Sequence, residues 1–99
     1  MPTLKDKVAV ITGGSRGLGL SIAEVFAREG AAVVIASRSQ RSVEAAVQGL
    51  KAQGRQAAGI ACDVSHLGQV EAVAALALST YGRLDIWVNN AGLLAPFGP

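Results

Sequence analysis

A glycine-rich turn near the amino terminus constrains the fold of this chain more than any other stretch. The apolar run Val8–Ile11 ends at residues 12–19, whose sequence is Thr-Gly-Gly-Ser-Arg-Gly-Leu-Gly, and a helical pattern covers Leu20–Glu29 directly afterwards. A strand, a glycine turn and a helix in this order are typical of the first βαβ unit of a nucleotide-binding domain. The sequence therefore predicts a nucleotide site at this turn.

Each glycine of the turn has a separate predicted role. Gly13 lets the chain leave the strand in a sharp turn, and Gly17 lets the backbone approach a pyrophosphate with no Cβ in the way. Gly19 lets the helix pack closely on the sheet, and the helix amino terminus directs free N–H groups at an anion. The spacing is T-G-x-x-x-G-x-G rather than G-x-G-x-x-G, since Ile22 stands where the third glycine would be. A turn with a purely structural role is the alternative.

Composition supports a buried sheet in a single domain. Hydrophobic residues make up 51% of the chain and aromatic residues only 4%, so the core must consist of aliphatic side chains. Such a core suits a parallel sheet that helices cover on both faces. The net charge of +2, from 9 basic and 7 acidic residues, is too small and too scattered for a nucleic-acid surface.

Short apolar runs and a single cysteine bear on the location of the protein. The longest apolar runs are about as long as Ala31–Ala36, whereas a membrane-spanning helix needs about 18 apolar residues. Cys62 has no second cysteine for an internal disulfide, and no secretory signal precedes the first strand. These features predict a cytoplasmic protein with no membrane partner.

Strand patterns and helix patterns alternate along the chain. The predicted strands are Lys7–Thr12, Ala32–Ser37, Gln56–Ala61 and Leu84–Val88. The predicted helices are Arg16–Glu29, a second that begins at Ser39 or Ser42 and ends at Gly54, and a third that Ser65 caps and Tyr81 ends. The residues predicted to face inward are Leu18, Ile22, Val25 and Phe26 on the first helix and Val43, Ala46, Val47 and Leu50 on the second.

The order β-α-β-α-β-α-β predicts an α/β fold over residues 1–99. We expect a partial Rossmann-type, doubly wound parallel sheet with the strand order 3-2-1-4. In that order the carboxyl ends of the first and fourth strands meet at the point where ligands bind such sheets. The turn Thr12–Gly19 and the segment Asn89–Gly92 then flank one crevice, although they lie far apart in the sequence.

Three motifs in this order resemble those of the short-chain dehydrogenase/reductase family. They are Thr12–Gly19, Cys62–Val64 and Asn89–Gly92, and the resemblance covers essentially the whole chain. It implies that residues 1–99 are an NAD(P)-binding Rossmann domain, truncated before the catalytic half. The function it implies is hydride transfer between a nicotinamide cofactor and a carbonyl or alcohol substrate.

The resemblance also implies roles for individual residues. Backbone groups around the turn contact the cofactor phosphates, Asp63 accepts from the adenine amino group, and Asn90 lines the ribose and nicotinamide. An aspartate that caps the next helix is the alternative for Asp63. The full set predicted to bind the cofactor, from the residues and the resemblance together, is Gly13, Ser15, Arg16, Gly17, Leu18, Gly19, Ser37, Arg38, Asp63, Val64, Asn90, Ala91 and Gly92.

The end of the second strand predicts which cofactor is bound. A carboxylate about 20 residues after the glycine turn reads the ribose 2′-hydroxyl of NAD, whereas arginine accepts the 2′-phosphate of NADP. Ser37 and Arg38 stand there, the next acidic residue is Glu44, and Arg16 can approach from the turn. Two charge-assisted contacts favour NADP over NAD by roughly two to four powers of ten. NAD is the less favoured cofactor, and solvated arginines are the alternative.

The catalytic residues of the family are not found in this sequence. The family uses Tyr-x-x-x-Lys, but Tyr81 is the single tyrosine, Asp85 stands four residues later and Lys51 is the last lysine. We expect no catalytic residue in the chain, and a small-molecule substrate only for a full-length form. No metal site is expected either, because His66 lies near too few other ligands.

An open sheet edge supports a second hypothesis. The fourth strand should be central in the full fold, but here it would lie at an edge with incomplete apolar cover. The chain would then be poorly stable or would associate with itself. The alternative function is a non-catalytic nucleotide-binding or partner-binding module that recruits a second chain along this edge. A methyltransferase-like fold is disfavoured, because the glycine turn lacks acidic residues.

Overall fold

The computed structural model of the protein describes residues 3–63 and 65–90, and there it confirms the alternating order of strands and helices. The strands are β1 (Val8–Thr12), β2 (Ala32–Ser37), β3 (Ala57–Ala61) and β4 (Ile86–Val88). The helices are α1 (Gly17–Arg28), α2 (Gln40–Ala52) and α3 (Leu67–Tyr81). Their bounds differ from the predicted ones by only one or two residues at most ends.

The four strands form one parallel sheet in the predicted order β3-β2-β1-β4. β1 lies inside the sheet, where Val10 pairs with Val34 of β2 on one side and with Trp87 of β4 on the other. All five residues of β1 are buried, as expected for a strand that has neighbours on both sides and helices on both faces. The turn after β1 is therefore held by the most enclosed strand of the molecule.

Side chains of β1 alternate between two cores. Ala9 and Ile11 point to the face that α1 and α2 cover, in a cluster that also includes Val33 and Ile35 of β2. Val8 and Val10 point to the opposite face, which α3 covers. Because successive side chains of a strand point to opposite faces, both faces of the sheet are apolar and are covered by helices. The carboxyl ends of the strands are not covered in this way and remain accessible at one edge.

The prediction for the inward face of α1 is wrong for Leu18 and Val25, which are exposed, but Ile22 and Phe26 pack against the core. The prediction for α2 is confirmed. The buried residues of α1 are Gly19, Ala23 and Ala27, which repeat every four positions, while Leu18 is 52% exposed. Small side chains occupy the contact line because they let the helix backbone come close to the sheet. The residues of α2 that the pattern assigned to the core, Val43, Ala46, Val47 and Leu50, are all buried.

β4 lies at the sheet edge, as predicted, and Asp85 fastens its amino end to β1. The Val8 N–H donates to Asp85 Oδ2 at 2.8 Å, and the Asp85 N–H donates to the Val8 carbonyl at 2.9 Å. Arg83 donates to both carboxylate oxygens, at 2.8 and 2.7 Å. The bonds from Arg83 and, to a smaller extent, the bond from Val8 lower the pKa of Asp85. Trp87 remains 36% exposed beside this edge.

We expect a steric test of the contact between β3 and α2 to discriminate between two glycines. A Cβ at Gly59 would collide with Val43 and lie 2.9 Å from Val47 Cγ2, and branched side chains have little freedom to move aside. Gly59→Ala should therefore lower the free energy of unfolding by about 1–3 kcal/mol. Gly49→Ala, in open space on α2, should raise it by about 1 kcal/mol. Urea unfolding measures both variants, and equal effects would contradict the packing account.

The Asp85 contacts predict a pH-dependent contribution to stability. The pKa of the folded carboxyl lies below its ordinary value of 3.8, so its stabilising effect is present above pH 3.8 and is lost as the pH falls through the folded pKa. Asp85→Asn should be less stable than the parent chain at neutral pH, and the difference should shrink in acid. Thermal unfolding between about pH 7 and about pH 3 tests this. Asp6→Asn is the control, and a difference for Asp85→Asn that did not change with pH would contradict the prediction.

Candidate functional site

The turn after β1 has the backbone conformation that its glycines predict. Gly13 and Gly17 have φ angles of 66° and 61°, in the left-handed region that favours glycine. The Gly13 N–H donates to the Ala36 carbonyl at 2.7 Å, which ties the turn to the end of β2. A Cβ at Gly17 would meet nothing within 4 Å, so the space next to this backbone is open to a ligand.

Gly19 also lies close to the loop that precedes α1. A Cβ at this position would collide with the Gly13 carbonyl oxygen and lie 2.6 Å from Asn90 Nδ2. The glycine therefore lets the first turn of α1 approach the preceding loop and Asn90. This contact joins the turn motif to the Asn89–Gly92 motif.

The amino terminus of α1 is available to an anion. Arg16 occupies the capping position in an extended conformation, and its side chain does not cap the helix. The first backbone N–H groups of α1 consequently have no side-chain cap, and the helix dipole adds partial positive charge there. Together with the open space at Gly17, this arrangement suits a phosphate group.

A cavity of about 270 Å³ lies between the turn and the end of β2. It brings together both arginines of the prediction, Arg16 and Arg38, and none of its lining residues is acidic. Inside it, Ser15 Oγ donates to Ser37 Oγ at 2.9 Å. The complete lining is Gly13, Ser15, Arg16, Ser37, Arg38, Ser39, Ser42 and Cys62.

Three lining residues were not predicted as site residues. Ser39 is the cap of α2, since its hydroxyl accepts from the Ser42 N–H at 3.2 Å, and the alternative of a cap at Ser42 is wrong. Burial raises the pKa of the Cys62 thiol, which keeps it neutral in the cavity wall. Ser39, Ser42 and Cys62 all follow the carboxyl end of β2 or β3, where ligands bind such sheets, and this position is the signal that could have identified them.

Asp63 follows β3 and organises the start of α3. Its Oδ1 accepts from the Ser65 N–H at 3.0 Å and from the Ser65 hydroxyl at 2.7 Å, and these bonds lower the pKa of Asp63. The prediction of a Ser65 cap is wrong, because the cap position is His66, which makes no side-chain cap bond. Asp63 Oδ2 lies 3.7 Å from His66 Nε2. One carboxylate oxygen is thus committed to the turn, and the other faces an exposed imidazole.

The segment after β4 meets the glycine turn, as the strand order predicts. Asn90 is 1% exposed, and its Nδ2 donates to the Gly13 carbonyl at 3.2 Å. Its Oδ1 is buried and accepts no hydrogen bond from the residues that the structure describes. Thr12 Oγ1 donates to Asn89 Oδ1 at 3.2 Å, which joins β1 to the end of β4.

Some expectations fall on residues outside the described ranges. Val64, Ala91 and Gly92 are among the predicted cofactor residues, and they lie outside residues 3–63 and 65–90. Within those ranges no group of three or more histidine, cysteine, aspartate or glutamate side chains could hold a metal ion. No helix in the same part of the chain is long and apolar enough to cross a bilayer.

The family model for short chain dehydrogenases matches residues 7–99. The chain belongs to the short-chain dehydrogenase family. An uncharacterized oxidoreductase from Mycobacterium tuberculosis is 47% identical over 93 residues, which cover 94% of this chain and 35% of that protein. Tropinone reductase-like 3 from Erythroxylum coca is 44% identical over 87 residues, covering 88% of this chain and 34% of its relative.

Solved structures of short-chain dehydrogenases share the fold. A hydroxysteroid dehydrogenase from Escherichia coli has a TM-score of 0.84 and 36% identity, over 87% of this chain and 37% of the other. A short-chain dehydrogenase/reductase from Burkholderia phymatum, solved in complex with NAD, has a TM-score of 0.83 and 36% identity, over 88% and 31%. This short-chain dehydrogenase chain therefore spans about a third of the length of the relatives it matches.

The tie between Asn90 and Gly13 gives a prediction for an isosteric substitution. Asn90→Asp replaces the donating Nδ2 with an oxygen that faces the Gly13 carbonyl in a buried site. The loss should reach about 1–3 kcal/mol of unfolding free energy. It should grow as the pH rises above the ordinary aspartate range, since burial disfavours the charged form.

Asn89→Asp is the matched control, because a carboxylate can still accept from Thr12 Oγ1. Both variants are compared with the parent chain by urea unfolding at acid and neutral pH. Equal stability of the two variants would show that the Asn90 bond to Gly13 has no special role.

Proposed function

We propose that the chain is the cofactor-binding part of an NADP-dependent oxidoreductase that transfers hydride between NADPH and a carbonyl or alcohol substrate. The observation that carries this proposal is the cavity at the end of β2, which Arg16 and Arg38 line and to which no carboxylate contributes. Membership of the short-chain dehydrogenase family and the NAD complex of a structural neighbour support a nicotinamide dinucleotide as the ligand class.

The choice of NADP over NAD rests on charge at the 2′ position of the adenosine ribose. Ser37 ends β2 where a carboxylate would accept from a ribose hydroxyl, and Arg38 follows it directly. Guanidinium groups form paired, charge-assisted hydrogen bonds with phosphate oxygens. Each such bond contributes roughly 1.5–3 kcal/mol, so two arginines suffice for a strong preference. A carboxylate at Ser37 would instead repel the 2′-phosphate.

The rest of the site orients the dinucleotide along the carboxyl ends of the strands. The open backbone at Gly17 and the uncapped amino terminus of α1 are proposed to hold the pyrophosphate. Asp63, which keeps one carboxylate oxygen outside its bonds to Ser65, is proposed to accept from the adenine amino group. Asn90 holds the Gly13 carbonyl in place behind the turn.

When bound, the nicotinamide ring supplies or accepts the hydride. The 99 residues contain no Tyr-x-x-x-Lys, and Tyr81 lines a groove with Asp6 and Lys7 next to the start of β1, whereas the glycine turn follows the end of that strand. Burial also raises the pKa of Tyr81, which opposes its ionisation. We therefore propose that these residues bind and orient the cofactor without transferring hydride by themselves. A small-molecule substrate is proposed only for a full-length, cytoplasmic form.

The edge strand favours a second candidate, a nucleotide-binding or partner-binding module without catalysis. Among the residues that the structure describes, β4 pairs with β1 alone, and Trp87 exposes part of its side chain next to the free edge. An unpaired strand edge can bind a strand from another chain or from a second copy. Self-association of the chain belongs to this proposal.

We expect a single charge reversal to abolish the cofactor preference. The parent chain should bind NADPH more tightly than NADH by at least about tenfold in a fluorescence titration, through the charged contacts at the 2′-phosphate. Arg38→Asp should lose that preference, because it removes a phosphate contact and adds a repelling carboxylate next to β2.

Arg41→Asp is the matched control, since it makes the same change of charge at an exposed position of α2, and Arg41 does not line the cavity. It should keep most of the preference for NADPH. Equal loss in both variants would mean that general charge, and not the cavity, sets the preference. A folded parent chain that bound neither cofactor would favour the module without nucleotide binding.

A further inference from the structure

We propose that Gln69 is a positioning residue that holds Asp63 in place and thereby sets how strongly the chain selects its base. The contact is the hydrogen bond in which the Asp63 N–H donates to Gln69 Oε1 at 2.7 Å. The inference rests on the proposed function, in which Asp63 accepts from the adenine amino group. It adds that the selectivity of this contact depends on a residue of α3 that acts through Asp63.

The bond to Gln69 begins where the pairing of β2 with the chain after β3 ends. The Cys62 N–H donates to the Ser37 carbonyl at 2.7 Å, and the next N–H along the chain, that of Asp63, donates to the glutamine side chain. A backbone N–H can only donate a hydrogen bond, so the oxygen of the Gln69 amide must face it. The orientation of this amide therefore follows from the chemistry of its partner and does not depend on the position of any side-chain hydrogen.

The other bonds of Asp63 to described residues are local. Its carbonyl accepts from the His66 N–H at 3.0 Å, and its Oδ1 accepts from the N–H and the hydroxyl of Ser65. These partners lie within three residues of Asp63 and precede α3. Within the described ranges, only the bond from the Asp63 N–H reaches a residue inside α3, a helix that the buried Val73 packs onto the sheet. Gln69 therefore ties the turn at Asp63 to a fixed element.

The tie to Gln69 also bears on the direction of the Asp63 carboxylate. Ser65 engages Oδ1, while Oδ2 lies 3.7 Å from Nε2 of the exposed His66 imidazole. The bonds from Ser65 lower the pKa of Asp63, so the carboxylate is charged at neutral pH and can only accept. Loss of the Gln69 bond would free the Asp63 main chain, and the carboxylate would then move relative to the carboxyl edge of the sheet.

A carboxylate in a fixed position discriminates between bases that differ in a single group. Adenine carries an amino group at C6, which donates to a carboxylate, whereas hypoxanthine carries an oxygen there, which a carboxylate repels. Both the attraction and the repulsion depend on the distance between the carboxylate and the base. A carboxylate that is free to move retreats from the oxygen and holds the amino group less well, so the difference in affinity between the two bases becomes smaller.

The test compares two cofactors that differ only in the base. NADPH and its deamino analogue, which carries hypoxanthine in place of adenine, are titrated into the 99-residue chain and followed by nicotinamide fluorescence. The ratio of the two dissociation constants is the base selectivity. Gln69→Leu removes the acceptor oxygen, Gln69→Glu keeps one, and Asp63→Asn replaces the carboxylate with an amide that accepts or donates. Gln48→Leu, at an exposed position of α2, is the matched control. Thermal unfolding of every variant accompanies the titrations.

We expect Gln69→Leu to lower the base selectivity about threefold to tenfold, the range for the loss of one uncharged hydrogen bond. Gln69→Glu and Gln48→Leu should retain the selectivity of the parent chain. Asp63→Asn should abolish it, and the further change Gln69→Leu should then have no effect on it, because the glutamine acts through the carboxylate. If Gln69→Leu does not fold, Gln69→Asn takes its place, since its side chain is shorter by one methylene group.

Three results would overturn the inference and leave the proposed function intact. The first is an unchanged base selectivity in Gln69→Leu. The second is a weaker binding of both cofactors by the same factor, which would mark Gln69 as a structural tether alone. The third is a further loss of selectivity when Gln69→Leu is added to Asp63→Asn. A parent chain that bound NADPH and the deamino analogue equally would instead overturn the proposed adenine contact, and one that bound neither would overturn the nucleotide-binding function itself.

Discussion

A single peptide group, that of Gly13, joins the parts of the structure that form the site. Its N–H donates to the end of β2, and its carbonyl accepts from Asn90 beyond β4. The start of α1 packs against the same carbonyl oxygen at Gly19. Gly13 also has a positive φ, in the left-handed region that favours glycine. The placement of the turn relative to both neighbouring strands follows from the bonds of this group.

Much of the fold could be predicted because its signals are local and strong. The continuous apolar strands and the period of α2 predicted the elements, the helical crossovers predicted parallel strands, and the doubly wound fold predicted their order. The inward face of α1 could not be read in the same way. Ile22 and Phe26 pack against the core, but Leu18 and Val25 are exposed, and the fully buried residues of α1 are small ones that allow close approach to the sheet. The hydrophobicity of the residues alone does not indicate how closely the backbone of α1 approaches the sheet.

The candidate site, like the fold, could be predicted only in part from the sequence. Proximity of Arg16 to Arg38 followed from the topology, because the turn after β1 lies beside the end of β2. The bond between Ser15 and Ser37 did not follow, since it depends on side-chain rotamers set by both main chains. Asp63 shows a mixed outcome: its position after β3 was predictable, but its bonds to Ser65 define a turn that the sequence had assigned to a Ser65 cap.

β4 has only three residues, yet side chains hold it at both ends. Asp85 fastens the amino end to Val8, while Asn89 and Asn90 fasten the carboxyl end to Thr12 and Gly13. A strand this short is expected to fray, and fraying here requires that the bond to the Gly13 carbonyl break. Opening of the carboxyl end of β4 is therefore coupled to loss of a bond that holds the turn. A ligand that bound only the closed turn would shift this equilibrium towards the paired edge strand, and would thereby oppose pairing of that edge with another chain.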